Sequence, residues 1–327
     1  MLAVLPTRNP ETPWPFLGDL ADPLPARGEV LVEVRAAGLN RADLLQLRGL
    51  YPPPPGESEV PGLECAGVIA DLGEEVEGWR VGDRVMALLA GGGHGELVTV
   101  PQGQLMPLPN GWSFVQGAAV PEAALTAWTN LVEEGRMSSG EAVAITGANG
   151  GVGSFAVQLA SALGARVLAV GRRAAALEPL RDLGATVTVP MASDLPAALR
   201  RANGGEGLDL VMDLVGGEWL PRLLLALKTG GRLVLVGITA GRTAEIPLDV
   251  VLRRRLRIVG SVLRPRPREE KARLVAAFHA VAEPWLEDGT LQPVVDRVLP
   301  FAEIATAYQA LAAGGVEGKV IVEISPH

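Results

Sequence analysis

The sequence has one cysteine, Cys65, and only three histidines among its 327 residues. A single cysteine cannot build a disulfide framework within one chain, and a structural zinc site needs about four Cys or His ligands. His94, His279 and His327 also lie far apart along the chain. We therefore expect no metal site built mainly on these residues, and we interpret Cys65 as a small buried packing residue.

Long apolar runs and an excess of positive charge are also missing. No apolar run approaches the ~18 residues that a membrane span needs. The first residues, MLAVLPTRNP, lack the basic start and apolar run of a secretory signal. The chain carries 29 Lys and Arg against 37 Asp and Glu, a formal net charge of -8, which gives no general attraction to nucleic acid or anionic membranes. We expect a cytoplasmic protein that binds neither.

Glycine and proline, by contrast, are abundant and scattered, at 40 and 26 residues. Up to about residue 120 they separate short apolar or alternating runs. Glu29–Gly38 (EVLVEVRAAG) alternates with a period of two, as a half-buried strand does, and short strands at this spacing predict a barrel-like or sandwich domain. Tyr51–Gly62 (YPPPPGESEVPG) contains prolines that fix φ and remove donors, so it is predicted to be a stiff loop.

After about Val120, strand-like runs alternate with amphipathic helical segments, which is typical of a parallel sheet covered on both faces. Gly164, Gly184 and Gly230 fall where helices are expected to end, as C-terminal cap glycines do. LRIVGSVL, from Leu256, is predicted to close the sheet. The basic cluster of Arg253, Arg254, Arg255 and Arg257 is expected on a solvated strand edge or loop. We predict an α/β chain with one domain over residues 1–120, completed by 265–327, and a second over 121–264.

The stretch AITGANGGVGS (Ala144–Ser154) joins a predicted strand to a predicted helix through several glycines. In this context glycines allow a sharp turn, a close approach of backbone to a pyrophosphate, and tight packing of helix on strand. The first-turn amides and the helix dipole then favour the phosphates. Asn149, Gly150, Gly151 and Val152 are the candidate phosphate-binding residues. The spacing departs from G-x-G-x-x-G, and an ordinary turn is the alternative.

The second predicted strand of this domain, RVLAV, ends in Gly171, Arg172 and Arg173. NAD enzymes usually place an acid there for the ribose 2′-hydroxyl. Two permanently charged guanidinium groups instead suit a 2′-phosphate, and Gly171 leaves room for it. The sequence therefore favours NADP(H), with solvated arginines at a helix start as the alternative.

Ligands of open α/β sheets bind beyond the carboxyl ends of the strands. Two further predicted strands end near Asp213–Gly216 and Gly237–Thr239. Val215, Gly237 and Ile238 are therefore candidates for contacts with the nicotinamide. Simple strand-end turns would explain the same residues.

Together these segments resemble a known family. AAGLNRADLLQLRGLYPPPPG, PGLE, VGDRVMALL, PEAALTAW, GGVG and GKVIVE occur in the order found in zinc-independent quinone oxidoreductases, the zeta-crystallin-like branch of the medium-chain dehydrogenase/reductase superfamily. The resemblance implies a GroES-like catalytic domain and a Rossmann domain with a cleft between them, and commonly a dimer. Asn40 and Leu63 stand where the zinc branch has Cys and His ligands, and only Glu64 persists. A zinc-dependent alcohol dehydrogenase mechanism is therefore disfavoured.

The resemblance implies transfer of a hydride from NADPH to a quinone. Tyr51 is the first candidate for a hydrogen-bond donor to the quinone oxygen, and Asn40 is the second. Thr126 resembles the position that contacts the nicotinamide amide. A packing role for Tyr51, a turn role for Asn40 and a plain helix position for Thr126 are the alternatives.

Other polar residues of the first domain are predicted to have structural roles. Asp43 and Glu64 are expected to hold a polar network, and His94 is interpreted as a loop histidine.

Two other functions remain open. The chain could reduce activated C=C bonds of alkenals or enones, with Tyr51 serving the enolate oxygen. It could instead be a low-turnover NADPH-binding regulatory protein, although the acidic balance and the lack of a basic-aromatic platform argue against nucleic-acid binding.

Overall fold

The computed structural model describes residues 1–7 and 13–325, so His327 lies outside the described residues. The strands are β1 (Leu2–Leu5), β2 (Phe16–Asp19), β3 (Glu29–Leu39), β4 (Glu64–Leu72), β5 (Arg84–Leu88), β6 (Leu97–Pro101), β7 (Leu105–Pro107), β8 (Ala142–Thr146), β9 (Arg166–Gly171), β10 (Val187–Pro190), β11 (Leu208–Asp213), β12 (Leu227–Leu235), β13 (Arg257–Gly260), β14 (Val295–Pro300) and β15 (Lys319–Glu323). The α-helices are α1 (Arg41–Leu47), α2 (Phe114–Ala118), α3 (Pro121–Trp128), α4 (Gly151–Ala162), α5 (Ala174–Leu177), α6 (Leu195–Ala202), α7 (Trp219–Ala226), α8 (Leu248–Arg254), α9 (Arg268–Glu287) and α10 (Ile304–Ala313).

The chain divides into two compact units. The N-terminal unit contains Met1–Leu125 and Leu263–His327, and the central unit contains Thr126–Val262. None of the helices in the described part of the chain has both the length and the hydropathy required to cross a membrane.

The main sheet of the N-terminal unit has the strand order β14-β15-β3-β4-β5-β7, and β6 also pairs with β3. β3 accommodates both partners because it is 11 residues long: its end at 36–39 pairs with β15, and its start at 29–33 pairs with β6. Val30, Val32 and Val34 are buried in the core, which confirms the predicted alternation. This sheet brings the starts of β4 and β15 close to α1.

Residues 48–63 connect α1 to β4 and contain neither helix nor strand, as the prolines predict. The loop is anchored near its far end by two hydrogen bonds. The backbone amide of Gly62 donates to Asp43 Oδ1 (3.1 Å), and Gln46 Nε2 donates to the carbonyl of Glu59 (2.7 Å). Asp43 and Gln46 both belong to α1, so this short helix determines the path of the loop.

The central unit contains a six-stranded sheet in the order β10-β9-β8-β11-β12-β13, in which all neighbouring strands are parallel. The order reverses between β8 and β11, where doubly wound sheets bind their ligands. All five residues of β8 are buried, as expected for a strand covered on both faces. The predicted α/β fold class, with a Rossmann parallel sheet, and the closing strand β13 are confirmed.

One local prediction for this unit is wrong, and another holds for only part of its residues. Gly164 follows α4 with φ +84°, as predicted, but Gly230 does not cap α7, which ends at Ala226. Gly230 (φ +78°) lies inside β12, where the pairing with β11 shifts register between Leu208 and Leu210 and residues 228–231 bulge out. Arg253 and Arg254 end helix α8, because this segment is helical from Leu248, whereas Arg255 follows the helix and Arg257 lies exposed on the edge strand β13, as predicted.

Candidate active site

A buried ion pair lies at the centre of the candidate site in the N-terminal unit. Glu64 begins β4, Lys319 begins β15, and the Lys319 ammonium contacts the Glu64 carboxylate. The two side chains are 0% and 4% exposed. Glu64 also accepts hydrogen bonds from Asn40 Nδ2 (2.8 Å) and from the backbone amide of Glu122 (2.9 Å). These contacts compensate a carboxylate charge that would be costly to bury alone.

Asn40 is held through both its backbone and its side chain. Its backbone amide donates to Asp43 Oδ2 (2.7 Å) at the start of α1, and its Oδ1 accepts a hydrogen bond from Lys319 Nζ (2.7 Å). The side-chain nitrogen, which donates to Glu64, carries a second hydrogen and can donate once more. The geometry agrees with the prediction that Asp43 and Glu64 hold a polar network.

Tyr51 opens the proline-rich loop and lies under a guanidinium group. Arg264 Cζ is 5.2 Å from the centroid of the Tyr51 ring, and Arg264 Nη1 donates to the Tyr51 carbonyl (3.0 Å). Burial raises the pKa of the Tyr51 phenol, the negative charge of Glu122 raises it further, and the positive charge of Arg264 lowers it. The acidity of the phenol therefore depends on its burial, on the charge of Arg264 and on whether Glu122 is ionised.

Glu122 and Lys271 are two further titratable residues near this network. Burial, followed by the charge of Glu64, raises the pKa of the Glu122 carboxyl to about 8. Its Oε2 is buried and has no hydrogen-bond partner among the described residues. Lys271 on α9 is 2% exposed, and burial lowers the pKa of its ammonium against the opposing effects of Glu57 and Glu122. At neutral pH Glu122 therefore holds a proton that an exposed carboxyl would have lost.

His94 and Cys65 are packing residues. His94 is fully buried, its Nδ1 hydrogen-bonded to Tyr308 Oη (2.8 Å) and its Nε2 to the carbonyl of Gly38 (3.2 Å). Cys65 belongs to the hydrophobic core, where burial raises the pKa of its thiol. Across the described ranges, no group of three or more His, Cys, Asp or Glu side chains is arranged to hold a metal ion.

In the central unit, the predicted glycine turn connects β8 to α4. Gly147 has φ +61°, and Gly150 precedes the helix at a position where an added Cβ would lie 3.5 Å from the Gly147 carbonyl oxygen. At Gly153 a Cβ would come within 2.7 Å of Ala148 Cα, so this glycine permits the close packing of helix and turn. No acidic residue occupies the first turn of the 12-residue helix. The turn therefore presents bare helix amides that suit a phosphate group.

The end of β9 lies beside this turn. A Cβ on Gly171 would be 3.4 Å from Asn149 Oδ1, so the strand end lies next to the segment that is predicted to bind phosphate. Arg172 and Arg173 follow, and both are exposed. The end of β9 therefore combines the exposed guanidinium groups of Arg172 and Arg173 with Gly171, which has no side chain.

The ends of β11 and β12 form paired turns that hold the other three candidates of this edge. Val215 and Ala240 are joined by a backbone hydrogen bond (2.9 Å), and the Gly237 amide donates to the carbonyl of Asp213 (3.1 Å). Ile238, next in the chain, is 44% exposed. Val215, Gly237 and Ile238 thus occupy adjacent turns at the carboxyl edge of the sheet.

A buried carboxylate whose role the sequence did not indicate organises these turns. Asp213 accepts hydrogen bonds from Thr146 Oγ1 (2.7 Å) and from the amides of Val215 (3.0 Å) and Gly216 (3.2 Å). Burial raises the pKa of this carboxyl, and the three hydrogen bonds oppose the rise. Asp213 therefore links the end of β8 to the turn after β11.

Thr126 is a buried residue of α3 and the first residue of the central unit. Its carbonyl accepts a hydrogen bond from Asn130 Nδ2 (2.7 Å). Tyr51 and Asn40 belong to the N-terminal unit, whereas Thr126 and the remaining candidates belong to the central unit.

Sequence reasoning assigned no role to Lys319, Arg264 or Lys271, and it treated Glu122 only as part of a motif. One sequence feature could have indicated two of these roles: a charged residue next to apolar residues, such as the lysine of GKVIVE or the first arginine of VLRPRP. Such residues are almost never fully buried unless they are paired. Their partners are far away in sequence, so the pairing is visible only in the folded chain.

Two family models match this chain. The alcohol dehydrogenase GroES-like domain matches residues 26–110, and the zinc-binding dehydrogenase model matches residues 151–280. Among solved structures, the quinone oxidoreductase from Thermus thermophilus, whose complex with NADPH is also known, is 36% identical with a TM-score of 0.81, covering 99% of this chain and 100% of that one. The CurK enoyl reductase is 29% identical with a TM-score of 0.83, covering 95% of each chain.

The relatives fall into proteins of similar length and much longer ones. The quinone oxidoreductase of Lama guanicoe is 30% identical over 307 residues, 93% of this chain and 91% of that protein. A phenolphthiocerol/phthiocerol polyketide synthase from Mycobacterium tuberculosis is 32% identical over 308 residues, which are 93% of this chain and 14% of the synthase. The chain spans 10–14% of the length of the first polyketide synthases it matches.

The matches cover both units of the chain, and they agree with the bare glycine turn and the parallel sheet. The chain therefore belongs to the medium-chain dehydrogenase/reductase superfamily of oxidoreductases, and quinone oxidoreductases are among its relatives.

Proposed function

We propose that this chain is an NADPH-dependent quinone reductase that needs no zinc. The observation that carries the proposal is a pair of hydrogen-bond donors, Tyr51 and Asn40, that buried charged groups hold in place. Asn40 is fixed by Glu64 and Lys319, and Tyr51 by Arg264. Donors held in this way stabilise charge that develops on an acceptor oxygen without reorganising during the reaction.

The glycine turn would hold the pyrophosphate of the cofactor. The absence of a side chain at Gly150 would allow the phosphates to approach the backbone, and the amides of Gly151 and Val152 would donate to them. Asn149 would lie next to the same phosphates. When bound, the reduced nicotinamide supplies a hydride.

The end of β9 would select the cofactor. Arg172 and Arg173 would bind a 2′-phosphate, to which two guanidinium groups offer fixed donors and permanent charge. At Gly171 a Cβ would meet Leu177 at 2.9 Å, so a larger residue would crowd this corner. We propose NADP(H) on this basis.

The nicotinamide end of the cofactor would lie against the turns that Asp213 organises. Val215, Gly237 and Ile238 would contact the ring, and Thr126 would contact its amide. The chain's contribution to the rate would come mainly from positioning, because reacting groups held near contact avoid much of the entropic barrier.

The acceptor would receive hydrogen bonds from Tyr51 Oη and Asn40 Nδ2. Hydride transfer leaves negative charge on the quinone oxygen, and these donors would stabilise it. Quinone carbonyls are electron-poor and need less activation than a ketone, so two neutral donors would suffice.

The proposal is tested by following NADPH oxidation with a panel of 1,4-quinones and short enones under the same conditions. We expect kcat/KM for the best quinone to exceed that for the best enone by at least about tenfold, or 1.4 kcal/mol. The reverse ranking would assign the chain to the reduction of C=C bonds. Saturable NADPH binding with no turnover of either class would favour a binding protein.

Reduction of activated C=C bonds is the second candidate. It is supported by the similarity to the CurK enoyl reductase and to segments of polyketide synthases. Tyr51 would then donate to the enolate oxygen, so the two functions share a site and differ in acceptor.

We also propose a homodimer that uses the edge strand β13. Ile258 on β13 is 38% exposed, and Leu248 and Leu252 on α8 are 74% and 77% exposed. An unpaired strand edge beside exposed apolar side chains suits pairing with a second copy. Light scattering during size exclusion should give twice the chain mass of 34.1 kDa, and a monomer mass would reject the proposal.

A further inference from the structure

Arg264 is the most heavily engaged side chain around the proline-rich loop. It lies in the turn before α9, is 2% exposed, and donates to three acceptors: the Ala90 carbonyl (2.7 Å), the Tyr51 carbonyl (3.0 Å) and Gln46 Oε1 (2.7 Å). Gln46 in turn donates to the Glu59 carbonyl (2.7 Å). One guanidinium group therefore connects Tyr51, near the start of the loop, to α1 and, through Gln46, to the far end of the loop.

The same group also acts on the Tyr51 ring. Its Cζ lies 5.2 Å from the ring centroid, within the range of a cation–π contact. Arg264 therefore contacts both the backbone carbonyl and the aromatic ring of Tyr51. An arginine that served only to satisfy buried carbonyls would need no contact with the ring.

The charges around this pair come from several elements. Those acting on Tyr51 are Arg264 and Glu122 of α3. Those acting on Arg264 include Asp43 of α1, Glu122 and, in the loop, Glu57. The positive charge of Arg264 lowers the pKa of the phenol, against burial and Glu122, which raise it. A more acidic phenol is a stronger hydrogen-bond donor.

We propose that Arg264 is a positioning residue that acts through Tyr51, fixing the place of the phenol and strengthening it as a donor to the acceptor. This inference rests on the proposed function, in which Tyr51 binds the acceptor oxygen. The planar guanidinium group of Arg264 positions Tyr51, and its positive charge strengthens the phenol as a donor. The two contributions can therefore be separated by substitution. Arg264→Lys keeps the charge and loses the fork, whereas Arg264→Gln loses the charge.

The chain has only two tyrosines, which permits a direct measurement. Protein labelled with 3-fluorotyrosine gives two ¹⁹F resonances, and Tyr51→Phe identifies the one from Tyr51. The fluorine also lowers the phenol pKa, so ionisation begins at a milder pH. The other tyrosine, Tyr308, is fully buried, and burial raises the pKa of its phenol well above the ordinary value.

In Arg264→Gln we expect the Tyr51 resonance to shift and its titration to move to higher pH. In Arg264→Lys the titration should stay closer to the wild-type position, while kcat/KM for a quinone falls by about fivefold or more. The same lysine substitution made in the Tyr51→Phe background should change kcat/KM by less than about twofold, because the group it acts through is gone.

Arg232 provides a matched control in the central unit. It also binds backbone carbonyls, those of Gly135, Arg136 and Asp209. Arg232→Lys is expected to lower the melting temperature and to leave the Tyr51 resonance and its titration unchanged. A shift of the Tyr51 resonance in Arg232→Lys would show that this resonance responds to a general loss of stability and not specifically to Arg264.

Wild-type protein supplies a second test should the Arg264 variants fail to fold. With ¹³C at the guanidinium carbons of arginine, one resonance should follow the ionisation of Tyr51 and move in Tyr51→Phe. If no arginine resonance responds, or if Arg264→Gln folds and leaves the Tyr51 titration unchanged, the inference is wrong. If the spectra show coupling but Tyr51→Phe leaves turnover intact, the role proposed for Tyr51 as a donor fails, and only the contact between Arg264 and Tyr51 stands.

Discussion

Lys319 and Glu64 begin the two strands that flank β3, and their side chains form a buried ion pair beside Gly38. A Cβ on Gly38 would lie 2.5 Å from Glu64 Oε1, so the bare backbone of β3 leaves room for the carboxylate. The pair also fixes the Asn40 amide, which accepts from Lys319 and donates to Glu64. One contact between distant parts of the chain therefore supports both the sheet and a candidate donor.

Removing the cation should be costly. Lys319→Met leaves the Glu64 carboxylate buried without its partner, and we expect the free energy of unfolding to fall by about 3–5 kcal/mol. Urea denaturation measures this. Arg253→Met, which removes an exposed ion pair with Asp249, serves as the control and should have little effect. If Lys319→Met lowers the free energy of unfolding no more than Arg253→Met does, the buried pair contributes no more to stability than an exposed one.

Filling the space at Gly38 should also destabilise the N-terminal unit. In Gly38→Ala the new methyl group would lie 2.5 Å from Glu64 Oε1 and 2.6 Å from the Ala118 carbonyl. We expect a loss of roughly 1–3 kcal/mol by thermal or urea denaturation, as for other overpacked sites. Gly95→Ala, in the same unit, is the control because the atoms nearest to its new methyl group would lie at 3.4 Å, an ordinary van der Waals distance. Equal effects of the two substitutions would argue against the clash.

Glu122 should make stability depend on pH. Its carboxyl pKa is raised from 4.5 to about 8, so between these values the folded chain holds a proton that the unfolded chain has released. The free energy of unfolding therefore falls as pH rises through this window, by up to about 1.4 kcal/mol per pH unit for one proton. The contribution is complete below pH 4.5 and lost above about pH 8.

Glu122→Gln cannot ionise and should remove this dependence. Its stability relative to wild type should increase steadily between pH 5 and pH 8 in urea denaturation, following the raised pKa of about 8. Glu269→Gln, at an exposed carboxyl on α9, should track wild type across the same range. A constant difference between Glu122→Gln and wild type would show that Glu122 is ionised in the folded chain throughout.

Tyr51→Phe tests the proposed donor. Loss of the hydroxyl should lower kcat/KM for quinones by roughly 10- to 100-fold, since one donor to the developing charge is removed. Steady-state NADPH oxidation measures it. Tyr308→Phe removes the other phenol, which is hydrogen-bonded to His94, and should leave kcat/KM nearly unchanged. An unaltered value in Tyr51→Phe would leave this side chain as packing for the loop.

Much of the fold was predictable from local patterns. The alternation of strands and helices after residue 120 and the period-two pattern of β3 both follow from which residues must be buried. Local patterns misled at Gly230, because a glycine with positive φ serves a bulge in a strand as well as the end of a helix. The difference is decided by pairing with β11, which no local window contains.

The support of the candidate site was much less predictable. Glycines and exposed arginines of the central unit could be assigned roles because neighbouring residues define their context. Glu64 and Lys319 are 255 residues apart, and Tyr51 and Arg264 are 213 apart. The sequence does not show that these side chains are buried together. Burial matters because electrostatic interactions are stronger in a low-dielectric environment.

The central claim is that the chain binds a nicotinamide dinucleotide with an additional phosphate at the end of β9. Fluorescence titration of wild type and of the double substitution Arg172→Ala with Arg173→Ala, each with NADPH and NADH, tests it most directly. We predict saturable binding with a preference for NADPH in wild type, and a Kd for NADPH that rises at least about tenfold, or 1.4 kcal/mol, in the double variant while the Kd for NADH barely changes. No saturable signal in wild type, or equal changes for the two cofactors, would contradict the account.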